Sequence, residues 1–373
     1  MIDAIRIVQN YIQYFLKILL IALKSKKKFM FPKNNKILIF DSMGSDKILD
    51  CIKFKSRPSV VDVRYSKINI PILLFSLFNS KYKNYRYLST YIKYVNPVFI
   101  ISYIDTSSRM PTIKKYFTKT IFIFIQNGNR QKRWLNDAFR GKYIDYYFTH
   151  QQDWKNFAKK YLKSNYVITG SIINNNYRKA SFKKVKKIVW ISQFRQKTLE
   201  YEFHILKCIL PILYSYCKKN NIILEILSAS KKNFYNEKKY YSKIIKNFIF
   251  IENNYKYKIY EYIEGDCIIA GLDSTFLREG FARGFRTAFF SVRNQYIDDT
   301  SWNFGWPSQY NNYGNFWTNF IDENIIINIL NYLNNITKNE IESNLIKYKN
   351  IMLYDYNNTI IKDEFLKIGI EIT

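Results

Sequence analysis

Residues 265–294, GDCIIAGLDSTFLREGFARGFRTAFFSVRN, decide the fold. Residues 266–270 (DCIIA) are a short apolar run, long enough for a buried strand. Gly271, Leu272, Asp273, Ser274 and Thr275 follow as a turn with N-cap candidates. Residues 276–283 fit two helical turns, and Gly284 stands where a helix ends on a left-handed residue. Residues 287–291 begin a second strand. A helix that starts just past a parallel strand aims free backbone N–H groups and a positive dipole end at the strand's C-terminal edge. Phosphate-bearing ligands bind at such edges. Ser274 and Thr275 stand at that helix mouth, with Glu279 about one turn further in.

The chain has 373 residues, enough for two α/β domains. It is 47% hydrophobic and 24% charged, so disorder is excluded as the default and real cores can form. The net charge of +30 comes mostly from lysines scattered through Ile-, Asn- and Tyr-rich sequence, as A/T-rich codon usage produces. What remains of the charge is a preference for acidic surroundings: anionic membrane, phosphate or acidic glycan. Cys51, Cys208, Cys217 and Cys267 have no CxxC spacing and read as reduced cysteines of a cytosolic protein. His150 and His204 are the only histidines, and no two Asp residues are spaced Asp-x-Asp. No metal and no cofactor are therefore expected.

Outward from the central stretch, apolar runs recur. Residues 36–41 (KILIFD), 60–63, 98–104 (VFIISYI), 121–125 (IFIFI), 146–149 and 166–169 read as strands. Polar loops close them: Asp41 and residues 42–45 after the first, Asp105 and residues 106–109 after the third, Gln126, Asn127 and Gly128 after the fourth. Helical stretches lie between, which predicts a doubly wound parallel sheet. Residues 178–187 (RKASFKKVKK) are polar, basic and aperiodic, as a linker is. A second series follows, with strands at 188–192, 222–227 and 248–251, a long helix at 201–218, and then the opening stretch. The aromatic loop at 302–317 reads as packing slightly more than as a stacking platform. At the other end, Ile5, Val8, Ile12, Phe15, Leu16, Leu19 and Leu23 recur at helical spacing through residue 28, ahead of a lysine cluster. Lys17 interrupts any membrane span, and no signal cleavage site follows. An amphipathic helix on an anionic membrane face and a helix packed on the first domain are equal readings.

The expected organisation is α/β: two tandem doubly wound, Rossmann-like domains facing across a cleft, behind an N-terminal amphipathic helix. The bounds are 1–30 for the helix, 31–177 for the first domain, 178–187 for the linker, 188–335 for the second domain and 336–373 for C-terminal helices. This resembles the GT-B fold of nucleotide-sugar-dependent glycosyltransferases. The small-polar, Glu, Gly pattern of Asp273, Ser274, Thr275, Glu279 and Gly284 is similar to the GT-B donor helix. The set Ile104-Asp105, Gln126-Asn127-Gly128, Gly305-Trp306 and residues 314–318 is similar to bacterial surface-carbohydrate (polysaccharide, O-antigen, capsule) biosynthesis proteins. In polymerases that use CDP-glycerol for teichoic acid, a His precedes the loop Gly. Asn127 stands there in this chain, which puts that activity in doubt.

The resemblance implies a donor side formed by Gln193, Arg195, Gly271, Asp273, Ser274, Thr275 and Glu279, with Glu279 accepting from the ribose diol. Without a metal, helix dipoles, backbone N–H groups and a cation such as Arg195 must stabilise the departing phosphate. Asp105 is the expected base, since it ends a buried strand at the ligand edge. His150 and Asp41 are the alternatives. Gln126, Asn127 and Gly128 are the expected acceptor contacts. The predicted activity is metal-independent sugar transfer from a nucleotide sugar to a glycan or lipid-linked acceptor in cell-surface polysaccharide synthesis. The place expected is the cytoplasmic side, peripheral on the inner membrane face, with no specific nucleic-acid partner. A sugar-nucleotide epimerase of the same fold, or a basic membrane- or nucleic-acid-binding protein without catalysis, are the competing readings.

Overall fold

A computed structural model of the chain describes residues 12–13, 15–16, 19–79, 82, 85–135, 138–195, 200–253 and 258–373. The first half carries β1 (Lys26–Lys28), β2 (Ile37–Phe40), β3 (Ser59–Val61), β4 (Lys67–Asn69), β5 (Phe99–Ser102), β6 (Ile121–Ile125), β7 (Lys142–Thr149) and β8 (Leu162–Ile168). Six of these form one parallel sheet in the order β3-β2-β5-β6-β7-β8. β2, β5 and β6 are near-continuous Ile, Leu and Phe because a parallel sheet covered on both faces leaves no strand position for water. One core lies on each side of it. Leu38, Phe40, Ile100, Phe122 and Phe124 face one, and Ile37, Ile39, Ile101, Ile123 and Phe148 the other. Each such side chain contributes about 1.5–3 kcal/mol by leaving water.

The second half carries β9 (Lys187–Ile191), β10 (Ile223–Leu227), β11 (Ile249–Ile251), β12 (Cys267–Gly271), β13 (Arg286–Phe290), β14 (Tyr313–Gly314) and β15 (Trp317–Thr318). Their order is β11-β10-β9-β12-β13-β15-β14, parallel except for the terminal hairpin. The winding reverses between β9 and β12 here, and between β2 and β5 in the first sheet. Ligand crevices in open α/β sheets form at such switch points.

The chain crosses between the halves twice. The first crossing follows β8, and the second returns near Asn358 to the helix Thr359–Lys367, whose Ile361 and Phe365 pack in the first half's core. Asn175 and Asn358, both fully buried, tie the crossings together: Asn175 Nδ2 donates to Asn358 Oδ1 at 3.0 Å, and Asn358 Nδ2 to the Ile172 carbonyl at 2.8 Å. The linker region is docked rather than free. Ala180 N donates to the Arg283 carbonyl at 2.8 Å. A Cβ on Gly265 would sit 1.5 Å from the Ser181 carbonyl oxygen, so only glycine allows that approach.

The helix expected through residue 28 ends earlier. Residues 19–24 are helical, Ser25 Oγ closes the turn on the Ile21 carbonyl at 2.6 Å, and the lysines at 26–28 form β1 beside β4. Residues 1–11, 14, 17 and 18 lie outside the described residues, and most of the amphipathic-helix expectation falls on them. Among the described residues no helix is long and apolar enough to cross a membrane. The aromatic loop packs: the rings of Phe304 and Trp317 stack at 4.5 Å, and Phe316 and Tyr348 close round them.

Candidate functional site

The C-terminal edges of the two sheets meet in a cleft, and the loops expected to carry chemistry line it. On the second half, Ser274 caps the helix Thr275–Ala282, its Oγ accepting from Phe276 N at 3.2 Å. Thr275 Oγ1 accepts from Asn129 N of the first half at 2.8 Å. A Cβ at Gly128 would lie 3.1 Å from that same hydroxyl, so the loop after β6 lies directly against the helix mouth. Gly271 ends β12, buried and paired with Phe289 of β13.

Glu279 is buried. Ser171 Oγ donates to one carboxylate oxygen and the Tyr260 hydroxyl to the other, each at 2.5 Å. Burial raises its pKa above the ordinary 4.5 against those two hydrogen bonds. Both oxygens are thus engaged, one of them by Ser171 of the first half. Asp273 pairs through Oδ1 with Arg293, which also donates to Glu202 at 2.9 Å, while Asp273 Oδ2 is buried without a partner. Gln193 has a buried, unpartnered Oε1, and Arg195 is exposed on the loop after β9.

On the first half, Asp105 is buried against Arg130, whose Nε donates to Oδ2 at 3.1 Å and whose Nη2 donates to Oδ1. The Tyr147 hydroxyl donates to the same Oδ2 at 2.6 Å. Both oxygens of the expected base are thus engaged. Asp41 holds the Arg64 guanidinium at 3.1 Å and adopts φ 101°, a left-handed conformation uncommon for aspartate. Gln126 is a buried bracket: its Nε2 donates to the Gly128 carbonyl at 2.8 Å, and its Oε1 accepts from His150 N at 2.9 Å. Asn127 Oδ1 accepts from Arg130.

His150 directly follows β7 and is buried. Its Nε2 lies 3.0 Å from the Gln126 carbonyl, an acceptor, which assigns the ring proton to Nε2. Nδ1 then presents a lone pair, buried and without a partner. Burial foremost, and the Arg130 charge next, lower its pKa to about 4, so the ring is neutral near pH 7.

Three buried arginines were missed from sequence: Arg130, Arg278 and Arg293. Each lies within about two turns of a parallel strand's C-terminal end, and that position was the available signal. Arg278 is the unusual one. Its Nη1 donates to Gln151 Oε1 and to the Trp306 carbonyl, each at 3.2 Å, and among the described residues no carboxylate forms an ion pair with it, although the Asp273 charge acts on it from further away. Desolvation lowers its pKa to about 10. A small cavity beside it is lined by Asn129, Gln131, Asp273, Ser291, Ser301 and Asn303. Ser301 Oγ, Asn303 Oδ1 and Trp306 Nε1 are buried and unpartnered there or next to it. Buried polar atoms without protein partners are met by water or by a polar ligand. The carboxylate charge acting on this guanidinium is that of Asp273, which is already paired with Arg293, so the buried cation is under-compensated and can accept a further anion.

This pair of doubly wound halves, joined by two crossings, with a capped helix facing the cleft, is a GT-B fold. Structures of the same architecture include S. aureus MnaA with UDP (TM-score 0.52, 8% identity, 91% of this chain and 98% of that one). UDP-GlcNAc 2-epimerase of Methanocaldococcus jannaschii with UDP-GlcNAc and UDP matches at TM-score 0.52 and 11% identity, over 89% of this chain and 99% of that one. An asparagine-for-histidine variant of the wall teichoic acid polymerase TagF, soaked with CDPG, matches at 0.54 and 12%, over 99% and 98%. At these identities the likeness establishes the fold. No curated protein matches in sequence. The family described as "putative O-antigen biosynthesis protein" matches residues 123–368, more than half of the chain, and the chain belongs to that family.

Proposed function

We propose that this protein is a glycosyltransferase of cell-surface polysaccharide assembly. It moves a sugar from a nucleotide-sugar donor to a glycan or lipid-linked acceptor, without a metal, while peripheral on the inner membrane face. The observation that carries the reading is Arg278, a buried cation with no carboxylate ion pair among the described residues, one turn inside a helix whose mouth is capped by Ser274. The donor's diphosphate supplies the missing negative charge there, aided by the helix N-terminus. Asp273, Ser274, Thr275 and Gln193 hold the rest of the nucleotide. Glu279 takes the ribose once the cleft opens.

In the reaction the acceptor hydroxyl oxygen attacks the anomeric carbon and the bond from that carbon to the phosphate oxygen breaks. The nucleotide leaves with the electron pair, and a base takes the hydroxyl proton. Arg278 and Arg130 stabilise the leaving charge in a site of low dielectric. Of Asp105, His150 and Asp41, His150 alone carries an unpartnered buried acceptor. An anionic donor between it and the arginines offsets the repulsion that helps hold its pKa low, making it a better base when donor is bound. Asp105 becomes available only if Arg130 turns from it to the phosphate. Gln126, Asn127 and Gly128 line the acceptor side.

A second reading, epimerisation of a nucleotide sugar, is favoured by the close contact of Asn129 with Thr275, which leaves little room for an acceptor in this closed cleft. Incubating purified protein with nucleotide sugars, with and without membrane lipid extract, separates the two. Transfer into lipid supports the transferase; conversion of the sugar without acceptor sinks it.

A further inference from the structure

The first half exposes apolar side chains on one helix and on the segment that precedes β2. The helix Ile70–Leu77 buries Ile72, Leu73 and Ser76 and turns Leu74 and Phe75 outward; Phe78, one residue past its end, is 85% exposed. Phe29 and Met30 lie beside it, Met30 at 83% exposure. This placement is built, not incidental. Asn69 Nδ2 donates to the Met30 carbonyl at 2.6 Å, which fastens residues 29–31 to the start of that helix. Phe31 lies 5.8 Å from Phe75 and stacks on Tyr94 at 4.6 Å. A cluster of exposed large apolar side chains of this kind marks a contact surface.

The charge around it selects the partner. Lys26, Lys27 and Lys28 of β1 and Lys67 of β4 are exposed at its border. There is no Asp or Glu between Asp3 and Asp41, nor between Asp62 and Asp105, and these two acid-free segments are the ones that build the face. A second copy of this chain would bring lysine against lysine. An acidic lipid surface takes both the aromatic side chains and the cations.

We propose that Phe29, Met30, Leu74, Phe75 and Phe78, bordered by Lys26–Lys28 and Lys67, seat this protein on an anionic bilayer. This specifies the membrane part of the reading above and is independent of the transfer chemistry. Ser25 Oγ donates to the Tyr65 carbonyl, and Arg64, next to Tyr65, holds Asp41 at the ligand edge of the first sheet. The lysine border of the face is thus linked through Tyr65 and Arg64 to the first-half side of the cleft.

The test is co-sedimentation of the full chain with vesicles of phosphatidylglycerol and phosphatidylcholine, or of phosphatidylcholine alone. The combined variant Phe29→Ser, Met30→Ser, Phe78→Ser changes only exposed side chains, so melting temperature and any nucleotide-induced thermal shift stay at wild-type values. It is expected to cut partition onto the anionic vesicles about ten-fold or more. Lys26→Gln, Lys27→Gln, Lys28→Gln is expected to remove the preference for anionic over neutral vesicles. Wild-type partition by the serine variant overturns the proposal. So does a wild-type dimer, in the absence of lipid, that the serine variant converts to monomer.

Discussion

Arg278 and Gln151 meet across the cleft: a buried guanidinium on the donor-side helix donates at 3.2 Å to a side-chain amide at the end of a first-half strand. An amide disperses a positive charge far less than a carboxylate does, so with only the more distant Asp273 to oppose it the charge is under-compensated at rest. Arg278→Met is expected to leave unfolding free energy unchanged or to raise it by about 1 kcal/mol or more, because it removes an unpaired buried charge. Gln151→Ala is expected to cost about 1–3 kcal/mol by stripping an acceptor from that cation. Urea unfolding of both variants checks the contrast, and a large loss for Arg278→Met would make it a structural tie instead.

Asp105 and Arg130 form the opposite case, a buried pair with matched charge. Asp105→Asn is expected to destabilise by about 3–5 kcal/mol, since it leaves Arg130 without its partner. Adding Arg130→Gln should recover most of that loss. If Asp105→Asn is as stable as wild type yet without turnover, Asp105 is the base and Arg130 its release.

His150 sets an acid limit. Its pKa falls from 6.5 in the unfolded chain to about 4 in the folded one, so the unfolded state binds the proton first. Stability is full above about pH 6.5 and drops as pH falls towards 4, by about 3 kcal/mol in all. His150→Gln should flatten thermal unfolding across that window. An unchanged acid slope would mean that other groups govern it.

Glu279 acts with the reverse sign. Burial keeps its folded pKa above 4.5, so the folded state holds the proton longer. Its contribution is full below about pH 4.5 and is lost as pH rises through the folded value. Glu279→Gln is expected to remove that loss, and Ser171→Ala to deepen it by taking away a donor to the ionised form. Melting curves between pH 4 and 8 read both.

Much of this was legible in the sequence for a plain reason. Parallel strands buried on both faces are apolar without interruption, so residues 121–125 and 266–270 declare themselves, and glycine and small polar residues mark where they end. The ligand edge follows from strand order alone. Other features carry no local signal. Three lysines in a row look like a solvated cluster, yet β4 pairs with them as β1. Arg278 reads as the polar face of a short helix, and its partners, Gln151 of the other half and the Trp306 carbonyl, reach it from distant parts of the chain. The return of Phe365 to the first half's core depends on a contact with Phe148, more than two hundred positions away, which no periodicity encodes. Glu279 was visible as a residue but not in its state, because Ser171 and Tyr260 reach it from elsewhere in the chain.

The central claim is that Arg278 holds the donor's phosphate at the mouth of the Thr275–Ala282 helix. Its most direct measurement is a thermal-shift series with CMP, UDP, GDP, dTDP and CDP conjugates, and with the unphosphorylated nucleosides, on wild type and Arg278→Met. At least one conjugate should raise the wild-type melting temperature, its nucleoside should not, and Arg278→Met should abolish the rise while melting at or above the wild-type temperature. A conjugate that stabilises Arg278→Met as strongly as wild type, or a panel in which none stabilises wild type, would contradict the claim.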